Sequence, residues 1–170
     1  MPFPLLLTTA AFAITTGLAH AEYKLHILHT NDLHSRIESI NRFDSTCSAE
    51  EEGKGECFGG YARLATKIRE LRDSLRAAGE NVVVIDAGDQ FQGSLMYTTY
   101  KGAVEAEFMN KFGYDVMAVG NHEFDDGPEA LAKFIDIVEF PVISGNLDVS
   151  RSALLKDRVK NHVVLEIGGE

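Results

Sequence analysis

The sequence has little positive charge, little cysteine and few long apolar runs. Lys and Arg together number 16 against 26 Asp and Glu, so the formal net charge is −10 and the pI is near 5.0. Non-specific binding to nucleic acid needs clustered Lys and Arg, and nucleic acid is therefore not an expected partner. No repeat or low-complexity tract is present, and 45% of the residues are hydrophobic. One folded domain, or part of a larger one, is predicted.

The most apolar stretch of the chain lies at its N-terminus. Residues 1–21, MPFPLLLTTAAFAITTGLAHA, carry no charged side chain and end in Ala19-His20-Ala21, a small-x-small cleavage pattern. The run is too short and too rich in Thr for a membrane span. We predict a signal peptide at 1–21, a folded part at 22–170, export to the periplasm or the cell exterior, and no stable membrane span after cleavage. A lipid-anchored or uncleaved segment is the alternative, because Lys and Arg are missing near the start.

Export gives a specific meaning to the two cysteines. Cys47 and Cys57 enclose the polar stretch SAEEEGKGE. In an oxidising compartment this arrangement favours a disulfide, and closing a loop of this length stabilises the fold by roughly 2.5–3 kcal/mol on the chain-entropy model. A metal site with two thiolates is the alternative, which lacks a CxxC spacing and a nearby His.

Patterns typical of strands and helices alternate along the chain. Apolar runs predict strands at 23–32, 81–89, 114–121, 140–146 and 162–169. Helical spacing predicts helices at 61–79, 102–111 and 128–138, and the Gly-rich stretch 88–100 is predicted to be a loop. An α/β fold with a largely parallel sheet follows. Because the sequence stops directly after a predicted strand, we expect it to be the front part of a longer domain.

Polar residues follow three of the predicted strands. Asp32 and His34 follow the first strand, Asp89 the second, and Asn121 and His122 the third. The carboxyl ends of parallel strands share one edge of a sheet, so these side chains are expected to converge. Mixed oxygen and nitrogen ligands suit divalent ions such as Zn or Mn, and two ions about 3.5–4 Å apart support phosphoryl displacement. Ordinary polar exit loops are the alternative, which the joint occurrence at three strand ends disfavours.

Several motifs together resemble one known family. HTNDLHSR (29–36), DAGDQFQG (86–93), YKG (100–102) and GNHEFD (120–125), with CFGGYARLATKIRELR (57–72), are similar to the metallophosphoesterase domain of the 5′-nucleotidase family. The resemblance covers about residues 24–148. It implies a layered α-β-β-α sandwich, of which this chain is the N-terminal part. It also implies hydrolysis of nucleoside monophosphates with two divalent metal ions, Zn, Mn or similar.

The resemblance implies a role for each ligand residue. Asp32 and His34 would bind one ion, and Asp89 would bridge the two ions. Asn121 would bind the second ion and contact the substrate.

A catalytic dyad is implied by the same resemblance. His122 would not bind metal but would donate a hydrogen bond to the substrate phosphate, oriented by Asp125. The family takes two further histidines and a Gln or Asn from later in the chain, and its nucleoside pocket from a C-terminal domain. The only later histidine here is His162, inside a predicted strand. The expected partners are therefore a nucleotide substrate and a missing C-terminal half of the same protein.

Other polar residues near these motifs have a plainer interpretation. Glu123 and Asp126 are expected to begin the third helix, where acidic side chains favour the positive end. His26 and His29 are expected to be packed or edge residues of the first strand.

Two further functions are compatible with the sequence. One is a related exported esterase that hydrolyses a cyclic phosphate, a UDP-sugar or a sulfate ester. The other is a truncated, non-catalytic module that binds metal.

Overall fold

A single parallel sheet organises the chain. The structure is a computed structural model that describes residues 22–170, and the predicted signal peptide at 1–21 lies outside the described residues. The strands are β1 (Leu25–Thr30), β2 (Asn81–Asp86), β3 (Val116–Ala118), β4 (Val142–Ile143) and β5 (Val159–Lys160). The helices are α1 (Ala49–Gly53), α2 (Tyr61–Ala77), α3 (Leu95–Tyr100), α4 (Ala103–Phe112) and α5 (Gly127–Ile137), and a 3₁₀ helix spans His122–Phe124.

The order of the strands follows the order of the chain. The sheet runs β1-β2-β3-β4-β5, and every neighbouring pair is parallel. Parallel connections are right-handed, so strands added in one direction place their connecting helices on the same face. In that layer α4 contacts both α2 and α5. The predicted α/β fold with parallel pairing is confirmed.

The core lies between this helix layer and the sheet. Val84 and Met117 of the sheet pack there against Met109, Leu131 and Phe134 of α4 and α5. These five side chains are almost fully buried, as expected for a sheet face that is covered by helices.

The edge strand β1 is less covered than the rest of the sheet. Leu25 and Ile27 are 39% and 55% exposed, so the described residues form one helix layer and one sheet of the predicted four-layer sandwich. His26 binds Glu80 through Nε2 at 3.0 Å and His29 is exposed, which confirms their interpretation as residues of an edge strand. None of the helices within residues 22–170 combines the length and the hydropathy of a membrane span.

The strand predicted at 162–169 is wrong. The fifth strand is the two-residue segment β5, and residues 162–167 belong to no helix or strand. Val164 is 86% exposed. An alternating apolar pattern forms a strand only when a neighbour accepts its backbone hydrogen bonds, and residues 22–170 provide no such neighbour for this segment.

Two short helices lie where loops were predicted. Helix α1 lies between the cysteines and begins with a capping box, in which the Ser48 hydroxyl accepts from Glu51 N–H and the Glu51 carboxylate accepts from Ser48 N–H. Helix α3 begins at the N-cap Ser94 and ends at Lys101, which has a left-handed backbone. Both caps were present in the sequence as Ser followed by helix-forming residues.

Candidate functional site

Three loops leave the carboxyl ends of β1, β2 and β3 and meet at one edge of the sheet. They place ligand atoms of His34, Asp89 and His122 within 4.8 Å of one another. Residues more than 80 positions apart in the sequence therefore share one small volume. The predicted convergence of these three residues at the sheet edge is confirmed.

The loop after β1 has an unusual backbone. Asp32, His34 and Ser35 have φ values of 53°, 47° and 53°, in the left-handed region that costs energy for residues with a Cβ. Backbone hydrogen bonds to the β2 loop hold this conformation: Asp32 N–H donates to Gly88 C=O at 2.9 Å and His34 N–H donates to Asp89 C=O at 3.1 Å. The two loops are thus fixed relative to each other.

His34 has one ring nitrogen directed to the protein and one directed to the cluster. Its Nδ1 lies 3.1 Å from the carbonyl oxygen of Phe91, so Nδ1 carries the proton and donates to that oxygen. In the neutral ring Nε2 is then the nitrogen without a proton, which is the form that binds metal. Asp32 is exposed, and its Oδ1 lies 3.6 Å from His34 Nε2. The hydrogen bond from the Asn31 side chain lowers the pKa of Asp32.

Asp89 lies at the centre of the site in a tightly restricted position. Its backbone has φ 57°, and its Oδ1 accepts a hydrogen bond from His122 N–H at 2.9 Å. Gly120 leaves the space that this carboxylate fills, because a Cβ at Gly120 would overlap Asp89 Oδ1 and Asp89 N. Gly88 has φ 94°, and a Cβ there would overlap the backbone of Gly120. Both glycines are therefore required for the close approach of the two loops.

His122 and Asp125 form a hydrogen-bonded pair. His122 Nδ1 lies 2.6 Å from Asp125 Oδ2, and this hydrogen bond raises the pKa of His122 above its usual value. The ring of His122 contacts the ring of His34 edge-on, with 5.0 Å between centroids. Asn121 is exposed at the start of the 3₁₀ helix, next to His122 in the chain.

The expectation for Glu123 is wrong. Glu123 is fully buried, and α5, the helix that it was expected to begin, starts four residues later at Gly127. Its carboxylate accepts backbone hydrogen bonds from the loops after β2 and β3. The sequence held no signal for this role, since an acid after a His and before Phe124 looks like any residue of a polar exit loop. Asp126, by contrast, is the N-cap residue of α5 and binds Lys101 Nζ at 3.0 Å.

A second buried carboxylate, that of Asp86 at the end of β2, binds the loop that follows this strand. It accepts hydrogen bonds from Gly88 N–H at 2.9 Å, from the Gln90 side chain at 2.9 and 3.0 Å, and from the Thr30 hydroxyl at 2.5 Å. Tyr114 donates in turn to Thr30. Burial raises the pKa of Asp86 to about 6. No sequence pattern distinguished this residue from its neighbours, although it opens the DAGD motif.

The cysteine prediction is confirmed. Cys47 and Cys57 form a disulfide with 5.9 Å between their Cα atoms. Their sulfurs are bonded to each other, which excludes the alternative metal site with two thiolates.

Comparisons with known proteins agree with this arrangement. Residues 25–170 match the family model for calcineurin-like phosphoesterases. The chain is 43% identical to the snake venom 5′-nucleotidase of Gloydius brevicauda over 147 residues, which are 85% of this chain and 24% of that protein. It is 47% identical to the 5′-nucleotidase of Bos taurus over 126 residues, 74% of this chain and 21% of that protein.

Two solved structures are also similar to this chain. The 5′-nucleotidase precursor of Thermus thermophilus is similar with a TM-score of 0.70 and 38% identity, over 85% of this chain and 26% of that one. The NAD nucleotidase of Haemophilus influenzae gives a TM-score of 0.69 and 28% identity, over 85% and 24% of the two chains. The chain thus spans about a quarter of the length of these relatives.

Proposed function

This chain belongs to the calcineurin-like phosphoesterase family, and we propose that it is the N-terminal part of an exported phosphohydrolase that converts nucleoside monophosphates to nucleoside and phosphate. The observation that supports this most directly is the cluster of His34, Asp89 and His122 at the carboxyl edge of the sheet. The named 5′-nucleotidases among its relatives support the nucleotide as substrate.

The donor set at this edge fits divalent metal ions. The contact of His34 Nδ1 with the Phe91 carbonyl leaves Nε2 as the coordinating nitrogen of the neutral ring. The Asp89 carboxylate is held by His122 N–H and packs against Gly120, and no sulfur is among the candidate ligands. In the proposed site Asp32 and His34 bind one ion, Asp89 bridges two ions and Asn121 binds the second. Two such ions, Zn, Mn or similar, neutralise charge on the attacking and leaving oxygens of phosphoryl transfer.

His122 is close enough to His34 and Asp89 to be considered a ligand, but its contacts favour a different role. The hydrogen bond to Asp125 raises the pKa of His122, whereas a histidine that binds metal must be unprotonated at the coordinating nitrogen. A protonated His122 would donate from Nε2 to a phosphate oxygen of the substrate and stabilise negative charge that develops in the transition state. Asp125 would orient the ring and hold the proton on Nδ1.

Export is supported by two features of the chain. The segment 1–21 has the composition of a signal peptide, and the Cys47–Cys57 disulfide is typical of proteins outside the reducing cytosol. The proposed location is the periplasm or the cell exterior. The remaining metal ligands and the nucleoside pocket would come from the C-terminal half of the complete protein.

The proposal is tested on the complete protein, purified with its metal content counted beside phosphate release. Two metal equivalents per chain and release of phosphate from a nucleoside monophosphate are expected. Cyclic nucleotides, UDP-sugars and sulfate esters are assayed in parallel, and faster turnover of one of them would assign the related esterase activity instead. Bound metal without turnover of any substrate would favour the non-catalytic module.

A further inference from the structure

The loops after β2 and β3 are joined by one buried carboxylate that is outside the proposed ligand set. Glu123 Oε2 accepts from Gly120 N–H at 2.7 Å and from Asp89 N–H at 3.0 Å. Glu123 Oε1 accepts from Gln90 N–H at 2.7 Å and, at a longer distance of 3.4 Å, from Phe91 N–H. These four backbone donors fill the acceptor capacity of a carboxylate.

Thermal stability alone does not account for such a residue. Burial of a carboxylate costs several kcal/mol in desolvation, and hydrophobic side chains of similar volume often replace buried charges without loss of stability. The hydrogen bonds here are of the strong, charge-assisted kind, and they lead to backbone N–H groups on both sides of the site. The distinctive consequence of Glu123 is therefore a fixed distance between two loops.

The residue that this distance controls is Asp89. Its own N–H binds Glu123, its backbone is left-handed, and its Oδ1 is placed against Gly120 and His122 N–H. A change of a few tenths of an ångström between the loops would move the Asp89 carboxylate relative to Asn121 and His122, which follow Gly120 directly.

We propose that Glu123 is a positioning residue, which sets the orientation of the Asp89 carboxylate between the two metal ions through the four N–H groups that it binds. This inference rests on the proposed dinuclear metal site. It assigns Glu123 no contact with metal or substrate, and no proton transfer.

The test compares two fully buried glutamates. Glu123→Gln keeps the shape of the side chain but replaces one acceptor oxygen by an NH₂ group, which leaves part of the backbone N–H groups without a partner. Glu105→Gln is the matched control. Glu105 is equally buried, on α4, and its carboxylate accepts from the Ser35 hydroxyl, a bond that a Gln carbonyl oxygen also accepts.

The measurement is a Co²⁺ titration of the metal-free complete protein, followed by visible absorption, with kcat and KM recorded for the same samples. For Glu123→Gln we expect a changed absorption spectrum, a loss of Co²⁺ affinity of about 10- to 100-fold, and a fall in kcat with little change in KM. Glu105→Gln is expected to keep the unchanged protein's spectrum and affinity. If Glu123→Gln kept both while its urea midpoint fell, the residue would be a structural support only, and the proposal would be overturned.

A second variant keeps the test decisive if Glu123→Gln fails to fold. Glu123→Asp keeps both acceptor oxygens and withdraws the carboxylate by one methylene from the N–H groups of Gly120, Asp89 and Gln90, so a displaced Co²⁺ spectrum is expected again. An unchanged spectrum in Glu123→Asp would overturn the proposal. The spectra do not depend on turnover, so a complete protein that binds two Co²⁺ ions without hydrolysing a nucleotide would refute the proposed function and still decide the role of Glu123.

Discussion

Two regions of the chain hold irregular backbone in a fixed shape by different means. In the cysteine loop, residues 47–57, the Cys47–Cys57 disulfide closes the ends, and exposed contacts such as the Lys54–Glu50 ion pair at 2.6 Å lie between them. At the site edge, residues 30–35, 86–93 and 118–125, the buried carboxylates Asp86 and Glu123 bind backbone N–H groups of the loops.

The difference follows from what each region has to specify. A covalent link limits the distance between two Cα atoms and leaves the chain between them free to vary. Buried hydrogen bonds fix individual peptide groups, and so fix the side chains that those peptides carry. A metal site needs its ligands placed within about 0.5 Å, which a disulfide at the ends of a loop does not provide.

The largest expected effect is on kcat, from replacement of His122 at the site edge. If His122 donates to phosphate, His122→Ala in the complete protein lowers kcat by about 10²- to 10³-fold, the usual loss for one transition-state donor, and leaves the metal content near normal. Asp125→Asn is expected to lower kcat by a similar or smaller factor. The double variant should be little worse than His122→Ala, because members of one hydrogen-bonded unit are not additive.

The control for this prediction is the metal count in each variant. Loss of one full metal equivalent in His122→Ala would show that His122 is a ligand, and would remove the distinction drawn between the dyad and the ligand set.

The convergence of Asp89 and His122 could be predicted because strand ends can be read from the sequence. An apolar run such as YDVMAV ends at a definite residue, and parallel pairing brings such ends to one edge, which placed Asp89 and His122 together. Glu123 and Asp86 could not be predicted in the same way. Their roles depend on which backbone N–H groups lie within 3 Å, and no periodicity in the sequence carries that information.

Strands could likewise be predicted from local apolar patterns, but their pairing could not. Strands β1 and β2 have strong apolar patterns and were predicted within a few residues of their bounds. The pattern at 162–169 was equally strand-like but has no pairing neighbour among residues 22–170. Pairing is a tertiary property, so it overrides local pattern.

The second prediction concerns the pH dependence that the site edge imposes. Burial raises the pKa of Asp86 from 3.8 to about 6, so the folded chain keeps a proton there that the unfolded chain has released. The stability from this group is fully present below pH 3.8 and is lost as the pH rises to about 6, by about 3 kcal/mol in total. In Asp86→Asn this fall in the free energy of unfolding should disappear, as measured by urea titration from about pH 4 to 7.

Asp148 gives the control of opposite sign. A hydrogen bond from Ser150 lowers its pKa, so Asp148→Asn removes stability that is present at neutral pH and lost as the pH falls. If the pH curves of Asp86→Asn and the unchanged chain ran parallel, the buried carboxylate would not be the source of the pH dependence.

The third prediction concerns the covalent link of the cysteine loop. Replacement of Cys47 and Cys57 by Ser is expected to lower the free energy of unfolding by roughly 2.5–3 kcal/mol, from the entropy of the opened loop. Because the loop does not carry the candidate ligands, the Co²⁺ affinity of the folded variant should be unchanged. A fall in affinity comparable with that of Glu123→Gln would mean that the disulfide also positions the site, and the contrast between the two regions would fail.

The smallest effect is expected from a contact inside the cysteine loop. Ser48 caps α1, where its hydroxyl accepts from Glu51 N–H at 3.2 Å, and a Ser→Ala change at an N-cap costs about 1 kcal/mol of helix stability. Helix α1 is five residues long and has no buried residue, so it can open without opening the core. Ser48→Ala should therefore raise the amide hydrogen-exchange rates of residues 49–53 by about fivefold and leave the global urea midpoint unchanged. Thr66→Ala on α2, whose hydroxyl only donates to the Ala62 carbonyl of its own helix, is the matched control and should leave the exchange of α1 unaltered. An equal shift of the global midpoint in Ser48→Ala would mean that α1 unfolds together with the core, and the cysteine loop would then be held as cooperatively as the site edge.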